Sequence, residues 1–339
     1  RCKMVFMKIA IVKLSALGDI VHAMVVLQFI KKFNKDILID WIIEDRHKDL
    51  VKNHPDINKI YTVNLKEAKK KLSLGLISKE MQKLRKLPLY DLVIDMQGLM
   101  KSAILSRIIP SSSTLGFSSI STRERFASIF YNKTFNIGYE ENVVKRNFEL
   151  VKFALSMPFN FENLNGKKPF LFSSIGYRHS SLSSLKKNVI LVSGASHPSK
   201  IYPAKKMAQL TKMIDANFIV TWGNQTEKDL AIEINKLSPK VIVSNKLSID
   251  ALICLVSKVD LVIGADTGPT HFAWALNIPS IVLFGPTPGN RNTVVSETNQ
   301  IIESKSRVNP YKIDRNDYSI KDIEVEEIIN LSNKLLGES

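Results

Sequence analysis

Short apolar runs alternate with stretches of helical periodicity along nearly the whole chain. Residues 8–14 (KIAIVKL) read as a buried strand and residues 20–33 as the helix after it. Residues 37–43, 60–63 and 92–95 read as further strands, with 99–108 helical. Continuous apolar strands separated by helices predict a parallel sheet covered on both faces, because each crossover between parallel strands lays a helix against the sheet. The pattern weakens between residues 159 and 187, where Gly166, Pro169, Gly176 and a serine-rich run at 180–184 gather. It restarts with strands at 189–193, 218–222, 241–244, 261–265 and 280–284, helices at 204–214 and 226–236, and a last amphipathic helix over 324–336.

A chain of 339 residues holds about two domains at roughly 150 residues each. The expected division is an N-terminal Rossmann-like domain over 7–165, a linker over 166–187, and a C-terminal Rossmann-like domain over 188–322. A terminal helix over 323–339 is expected to pack back on the first domain. In doubly wound sheets ligands sit beyond the carboxyl ends of the strands, and two facing domains would form a cleft there. Residues 1–6 read as an extension ahead of a natural start at Met7.

Composition narrows the class. With 45% apolar and 24% charged residues the chain is neither disordered, collagenous nor coiled-coil. Cys2 and Cys254 build no disulfide framework and no zinc cage. The excess of 48 Lys and Arg over 32 Asp and Glu, a net charge of +16, favours an acidic partner: nucleic acid, an anionic membrane face or a phosphorylated substrate. Charges interrupt every apolar stretch well short of the roughly 20 residues of a spanning helix. Lys13 and Asp19 break what would be a signal peptide's apolar core. A cytoplasmic protein is expected.

Five segments carry candidate chemistry, each placed just after a predicted strand. In Lys13-Leu14-Ser15-Ala16-Leu17-Gly18-Asp19, Asp19 is either an N-cap or a general base. In Gly264-Ala265-Asp266-Thr267-Gly268-Pro269-Thr270-His271, Gly268 permits close backbone approach, and the helix start favours a phosphate unless the segment is an ordinary capped helix. Asp266 would repel phosphate and face sugar hydroxyls instead. Small residues before Lys200 in Ser193-Gly194-Ala195-Ser196 suit a diphosphate, although a solvated lysine is the commoner case. Thr226 and Glu227 follow Trp222-Gly223-Asn224-Gln225; Glu227 either binds a ribose or only favours the helix start. Asp95-Met96-Gln97-Gly98, with Lys101, Arg123, Arg125, Lys145 and Arg146, would receive an anionic substrate if clustered, and is otherwise a solvated basic face. No D-x-D pair, P-loop or G-x-S-x-G elbow occurs.

The segments KLSALGDIVHAM, DMQGLMKSA and GADTGPTHFAWALNIPSIVLFGPTPGNR together resemble glycosyltransferase family 9, the bacterial lipopolysaccharide heptosyltransferases. The K-x-S-x-x-G-D and D-x-Q-G-L-x-K-S-A segments resemble the branch that adds the first heptose of the inner core. The resemblance implies a GT-B fold with the acceptor on the N-terminal domain and the nucleotide-sugar on the C-terminal one. It implies ADP-L-glycero-β-D-manno-heptose as donor and a Kdo sugar of Kdo-lipid A as acceptor, with inversion and neither metal nor cofactor. By the same resemblance Asp19 matches the catalytic base and Lys13 a lysine near the reacting centre. Ser196 and Lys200 match diphosphate contacts, Glu227 a ribose contact, and Leu247 an adenine-pocket position. Asp266, Thr267, Gly268 and His271 match further donor contacts. Arg123 matches an acceptor-side position, where Ser15, Gln97 and Lys101 are also expected. Ala195 replaces a hydroxyl residue, and the 64–71 loop carries lysine where arginine is expected. The positive charge would draw the protein to the anionic inner leaflet of the cytoplasmic membrane, leaving no part for nucleic acid. A GT-B transferase with another nucleotide sugar and a basic nucleic-acid-binding protein are the alternatives.

Overall fold

The computed structural model describes residues 7–70, 73–176 and 180–337. The 1–6 extension, Lys71 of the lysine-rich loop, residues 177–179 of the expected linker and residues 338–339 of the terminal segment lie outside the described residues. The chain divides into two units, Arg1–Lys167 and Lys168–Ser339.

In the first unit β1 (Lys8–Val12) sits centrally because its residues are apolar on both faces; Ile9 and Ile11 are fully buried. It pairs in parallel with β2 (Leu38–Glu44) on one side and β4 (Leu92–Asp95) on the other. β3 (Lys59–Val63), β5 (Thr114–Phe117) and β6 (Lys133–Phe135) complete the order β3-β2-β1-β4-β5-β6. The helices are α1 (Leu17–Met24), α2 (Val26–Phe33), α3 (Leu65–Lys70), α4 (Leu74–Arg85), α5 (Met100–Ile108) and α6 (Val143–Leu155). The single helix expected over 20–33 starts earlier and is interrupted at Val25, which keeps helical backbone angles.

The second unit repeats the winding. β7 (Asn188–Val192), β8 (Asn217–Thr221), β9 (Ile242–Val243), β10 (Leu261–Ala265), β11 (Ser280–Phe284) and β12 (Asn299–Glu303) lie in the order β12-β11-β10-β7-β8-β9, all parallel. Read from the other edge, this is the order of the first sheet. Its helices are α7 (Ala204–Met213), α8 (Gln225–Leu237), α9 (Ile249–Val256), α10 (Gly268–Leu276), α11 (Gly289–Asn292) and α12 (Val325–Leu336).

Two segments near the ends of the second unit are tied into it. The first is the terminal helix α12. Its Val325, Ile328, Ile329 and Leu336 enter the apolar core of the second unit, beside Met207 and Leu210 of α7. A stripe that wide finds enough apolar surface in its own unit. The second is part of the segment expected as a linker. Phe170 is buried with its ring 5.5 Å from that of Trp274, and its N–H donates to the Ala275 carbonyl at 3.1 Å. Ser174 donates from N–H and hydroxyl to the Asp250 carboxylate at 3.1 and 2.7 Å. Among the described residues no helix is long and apolar enough to cross a membrane.

Candidate active site

Each sheet reverses its strand order between two central strands, β1 and β4 in one unit and β7 and β10 in the other. Loops leaving such a pair on opposite faces open a crevice at the carboxyl edge. Most of the sequence-predicted residues follow these strands, while Arg123, Glu227 and Leu247 come after β5, β8 and β9.

In the first unit Asp19 is half-buried in the first turn of α1, and its Oδ2 accepts from the Ala16 N–H at 3.1 Å. That bond is the helix-capping role, and it leaves other lone pairs of the carboxylate open. Lys13 is buried and donates from Nζ to the Met96 carbonyl at 2.8 Å, while its own carbonyl accepts from Trp41 Nε1 at 3.2 Å. Gln97 Oε1 accepts from the N–H groups of both Leu14 and Ser15 at 3.1 Å. Lys13 and Gln97 therefore bind the loop after β1 to the loop after β4. Behind them Asp95 is buried and accepts from the Tyr131 hydroxyl at 2.7 Å, the Gln97 N–H at 2.8 Å and the Gly98 N–H at 3.2 Å. Gly98 turns its N–H inward with a left-handed backbone, φ 67°. Burial pushes the Asp95 carboxyl up, and the donors around it only moderate the rise.

Three cations of this unit gather around Glu44 and His47, at and just after the end of β2. Lys101 stands exposed in the first turn of α5. Burial pushes Glu44, at the end of β2, up, and the nearby Lys101, Arg46 and Lys66 oppose it. Burial and the same three cations push His47 down to about 4. Arg46 was not singled out in the sequence, where it looks like scattered surface charge, whereas Lys66 belongs to the 64–71 loop already noted for its lysines. Arg123 is exposed, and its neighbour Glu124 accepts from the Met100 N–H at 2.6 Å, at the start of the helix that carries Lys101.

The second unit is built on charge. Lys200, buried in the turn Pro198–Lys200, donates to the Asp266 carbonyl and to Asp266 Oδ2, each at 2.7 Å. Asp266 follows β10; its Oδ1 lies 3.0 Å from His271 Nε2, and its Oδ2 also accepts from Thr287 Oγ1 at 3.1 Å and Asn292 Nδ2 at 3.3 Å. Burial alone would raise the carboxyl, but Lys200 and His271 outweigh it and hold it well below the usual carboxylate range. Thr287 lies in the quoted GPTPGNR segment and Asn292 stands just past its end, neither having been assigned a role. Their position after β11 was the available signal. Thr267 is the N-cap of α10, Gly268 its first residue, and Pro269 stands in its first turn.

Glu227, in the first turn of α8, accepts from the Gly223 N–H at 2.7 Å. A Cβ on Gly194 would stand 2.2 Å from the Glu227 carboxyl carbon, so the loops after β7 and β8 meet around this side chain. Ser196 is exposed in the loop after β7. Leu247 is half-buried in the loop after β9, near where the Ser244 carbonyl accepts from Trp222 Nε1 at 2.8 Å.

Residues 78–318 match the family described as glycosyltransferase family 9 (heptosyltransferase). The chain belongs to this family. It is a glycosyltransferase of the lipopolysaccharide heptosyltransferase group. Lipopolysaccharide heptosyltransferase 1 of Campylobacter coli is 40% identical over 98% of this chain and 100% of its own length. The heptosyltransferase 1 of Pseudomonas aeruginosa is 28% identical over 84% of this chain and 80% of its own. Among solved structures, the Veillonella parvula family 9 glycosyltransferase superposes with a TM-score of 0.82 at 16% identity, covering 99% of both chains. E. coli heptosyltransferase WaaC with ADP superposes with a TM-score of 0.79 at 22% identity, covering 97% of this chain and 100% of its own. The two units are the Rossmann-like halves of the GT-B fold expected from the sequence.

Proposed function

We propose that the protein transfers L-glycero-D-manno-heptose from ADP-heptose to a Kdo residue of Kdo-lipid A, inverting the anomeric carbon without a metal or cofactor. The observation that carries this reading is the Lys200–Asp266–His271 cluster at the β7/β10 crevice of a family 9 chain. The curated relatives named lipopolysaccharide heptosyltransferase 1 support the donor and pathway, and a fold relative is recorded with ADP-2-deoxy-2-fluoro heptose.

Asp19 takes the proton of the acceptor hydroxyl as that oxygen attacks C1 of the heptose. Negative charge then builds on the departing ADP. Two of the three N–H bonds of Lys200 are held by Asp266, so the third is fixed in direction and available to a diphosphate oxygen. The N-terminus of α10 adds a favourable dipole. Asp266 was expected to hold heptose hydroxyls. With four donors already on it, its larger part is to orient Lys200 and His271, leaving Oδ1 the capacity for one sugar hydroxyl. Ser196, Thr267 and Gly268 line the diphosphate side, and Glu227 and Leu247 take the ribose and adenine. Ser15, Lys101 and Arg123, joined by Arg46 and Lys66, receive the carboxylate and phosphates of the acceptor. Lys13 and Gln97 set the loop that carries Asp19. The absence of a D-x-D pair from the sequence and the presence of Lys200 support transfer without metal. Attraction of a chain with net charge +16 to anionic lipid brings the enzyme to the inner membrane.

The test is mass spectrometry of Kdo-lipid A incubated with ADP-heptose, which should show the gain of one heptose, undiminished in EDTA. Asp19→Ala should lower turnover about 10²–10⁴-fold while ADP binding stays near wild type. Turnover above about a tenth of wild type would reduce Asp19 to a helix cap. Competition by UDP as strong as by ADP would favour another nucleotide sugar.

A further inference from the structure

The segment between β5 and β6 carries an apolar surface that the proposed reaction does not use. Among the described residues, three of the four large apolar side chains more than 70% exposed lie in it: Ile120 at 73%, Phe126 at 75% and Ile129 at 71%. Their exposure follows from how the segment folds. Residues Arg125–Phe130 form a 3-10 turn, in which side chains three apart share a face. Ala127 and Phe130 face inward and pack with Met100, Ala103 and Tyr131. Phe126 and Ile129 share the outward face, and Ile120 stands on the adjoining turn Ser119–Ser121.

This surface is held in place. The Ser121 carbonyl accepts from Arg146 Nη2 at 2.6 Å, and Ser121 Oγ accepts from the Ile137 N–H at 3.0 Å. Ser128 Oγ donates to the Arg125 carbonyl at 2.9 Å. Exposed Arg123 and Arg125 flank the apolar residues in the chain and exposed Lys133 opens β6 just after them, while the one carboxylate of the segment, Glu124, is bonded to the start of α5. Rigid apolar tips flanked by cations fit an interface that is anionic at its surface and apolar a few ångströms below. A second copy of a chain with net charge +16 would bring like charge to these cations, and nucleic acid offers no apolar depth to receive a phenylalanine and two isoleucines.

We propose that Ile120, Phe126 and Ile129 insert into the acyl boundary of an anionic lipid bilayer, with Arg123, Arg125 and Lys133 at the headgroups. The contact presents the first unit to a membrane-borne acceptor, and it rests on the reading of that acceptor as a lipid-linked sugar.

The test is sedimentation of the full chain with vesicles of phosphatidylglycerol and phosphatidylethanolamine, against vesicles of phosphatidylcholine alone. Wild type should bind the anionic vesicles. Phe126→Ser with Ile129→Ser should lower the partition coefficient about tenfold or more, because two large apolar insertions are removed. Leu185→Ser, which removes a more exposed but isolated apolar side chain, should leave it unchanged. Turnover of the double variant on deacylated, water-soluble acceptor should match wild type and report an intact fold; if it does not, Ile120→Ser alone carries the comparison. Equal partition of wild type and variant would overturn the assignment of this surface. Wild type that ignores anionic vesicles would overturn the membrane contact altogether, whereas the heptose mass gain tests the reaction separately. Loss of a dimer in the variant would give the surface to a second copy and overturn the lipid proposal.

Discussion

Asp95 closes β4, and Asp266 follows β10, the strand in the corresponding place of the second sheet. Their surroundings nevertheless push the two carboxyls in opposite directions. Asp95 is met by a phenol and backbone N–H groups, all neutral, and burial dominates. Asp266 is met by Lys200 and His271, and their charge dominates burial. A carboxylate in a neutral shell serves as an internal fastener, since its donors are backbone and a core tyrosine. A carboxylate in a charged shell stores a directed cation at the edge of the sheet, where an anion can use it. The same winding thus yields a structural edge in one unit and an electrostatic one in the other.

The largest test of this contrast is Lys200→Met. Removing one partner of a largely buried ion pair leaves Asp266 uncompensated, and chemical unfolding should show a loss of about 3–5 kcal/mol together with weaker ADP binding. A loss below about 1 kcal/mol would mean that solvent already screens the pair. Asp95→Asn should cost less, about 1–3 kcal/mol from the poorer match to its donors, with transfer close to wild type. A collapse of transfer at unchanged stability would move Asp95 into the chemistry.

The pH dependence should separate the pair by sign. Asp266 has a folded value below its ordinary 3.8, so its stabilising contribution is present above that pH and is lost as pH falls through the folded value. Asp95 has a folded value above 3.8, so its contribution is greatest at low pH and declines as pH rises from 3.8 through the folded value. Stability differences between wild type and each Asn variant, measured from pH 3 to pH 6, should therefore slope in opposite directions. Parallel slopes would refute the contrast.

Most buried strands were legible because their residues are apolar on both faces; β4 and β10 begin and end where the sequence placed them, whereas buried β5, Thr114-Leu115-Gly116-Phe117, is too short and too mixed to stand out. Of the edge strands, β3 and β9 were read but β6 and β12 were not. β6 is three residues long with Lys133 and Thr134 exposed, and β12 has only two apolar residues, Ile301 and Ile302, between polar ones, so neither rises above loop composition. In the candidate site, the sequence pattern placed Asp19, Lys200 and Asp266 after β1, β7 and β10, where the structure has them. Direction was not legible. Gln97 was expected at the acceptor, yet its Oε1 faces back to Leu14 and Ser15. The donors that complete Asp266, Thr287 and Asn292, arrive from 21 and 26 residues away, a proximity that only the folded sheet creates.

The close approach of Gly194 and Glu227 has a consequence for how this sequence can change. Any side chain at position 194 would occupy the volume of the Glu227 carboxyl, so the smallest possible mutation there, addition of one methyl group, acts on a residue 33 positions later. A substitution at 194 therefore requires a shorter or redirected side chain at 227, which couples the loop after β7 to the loop after β8 across a whole helix and strand.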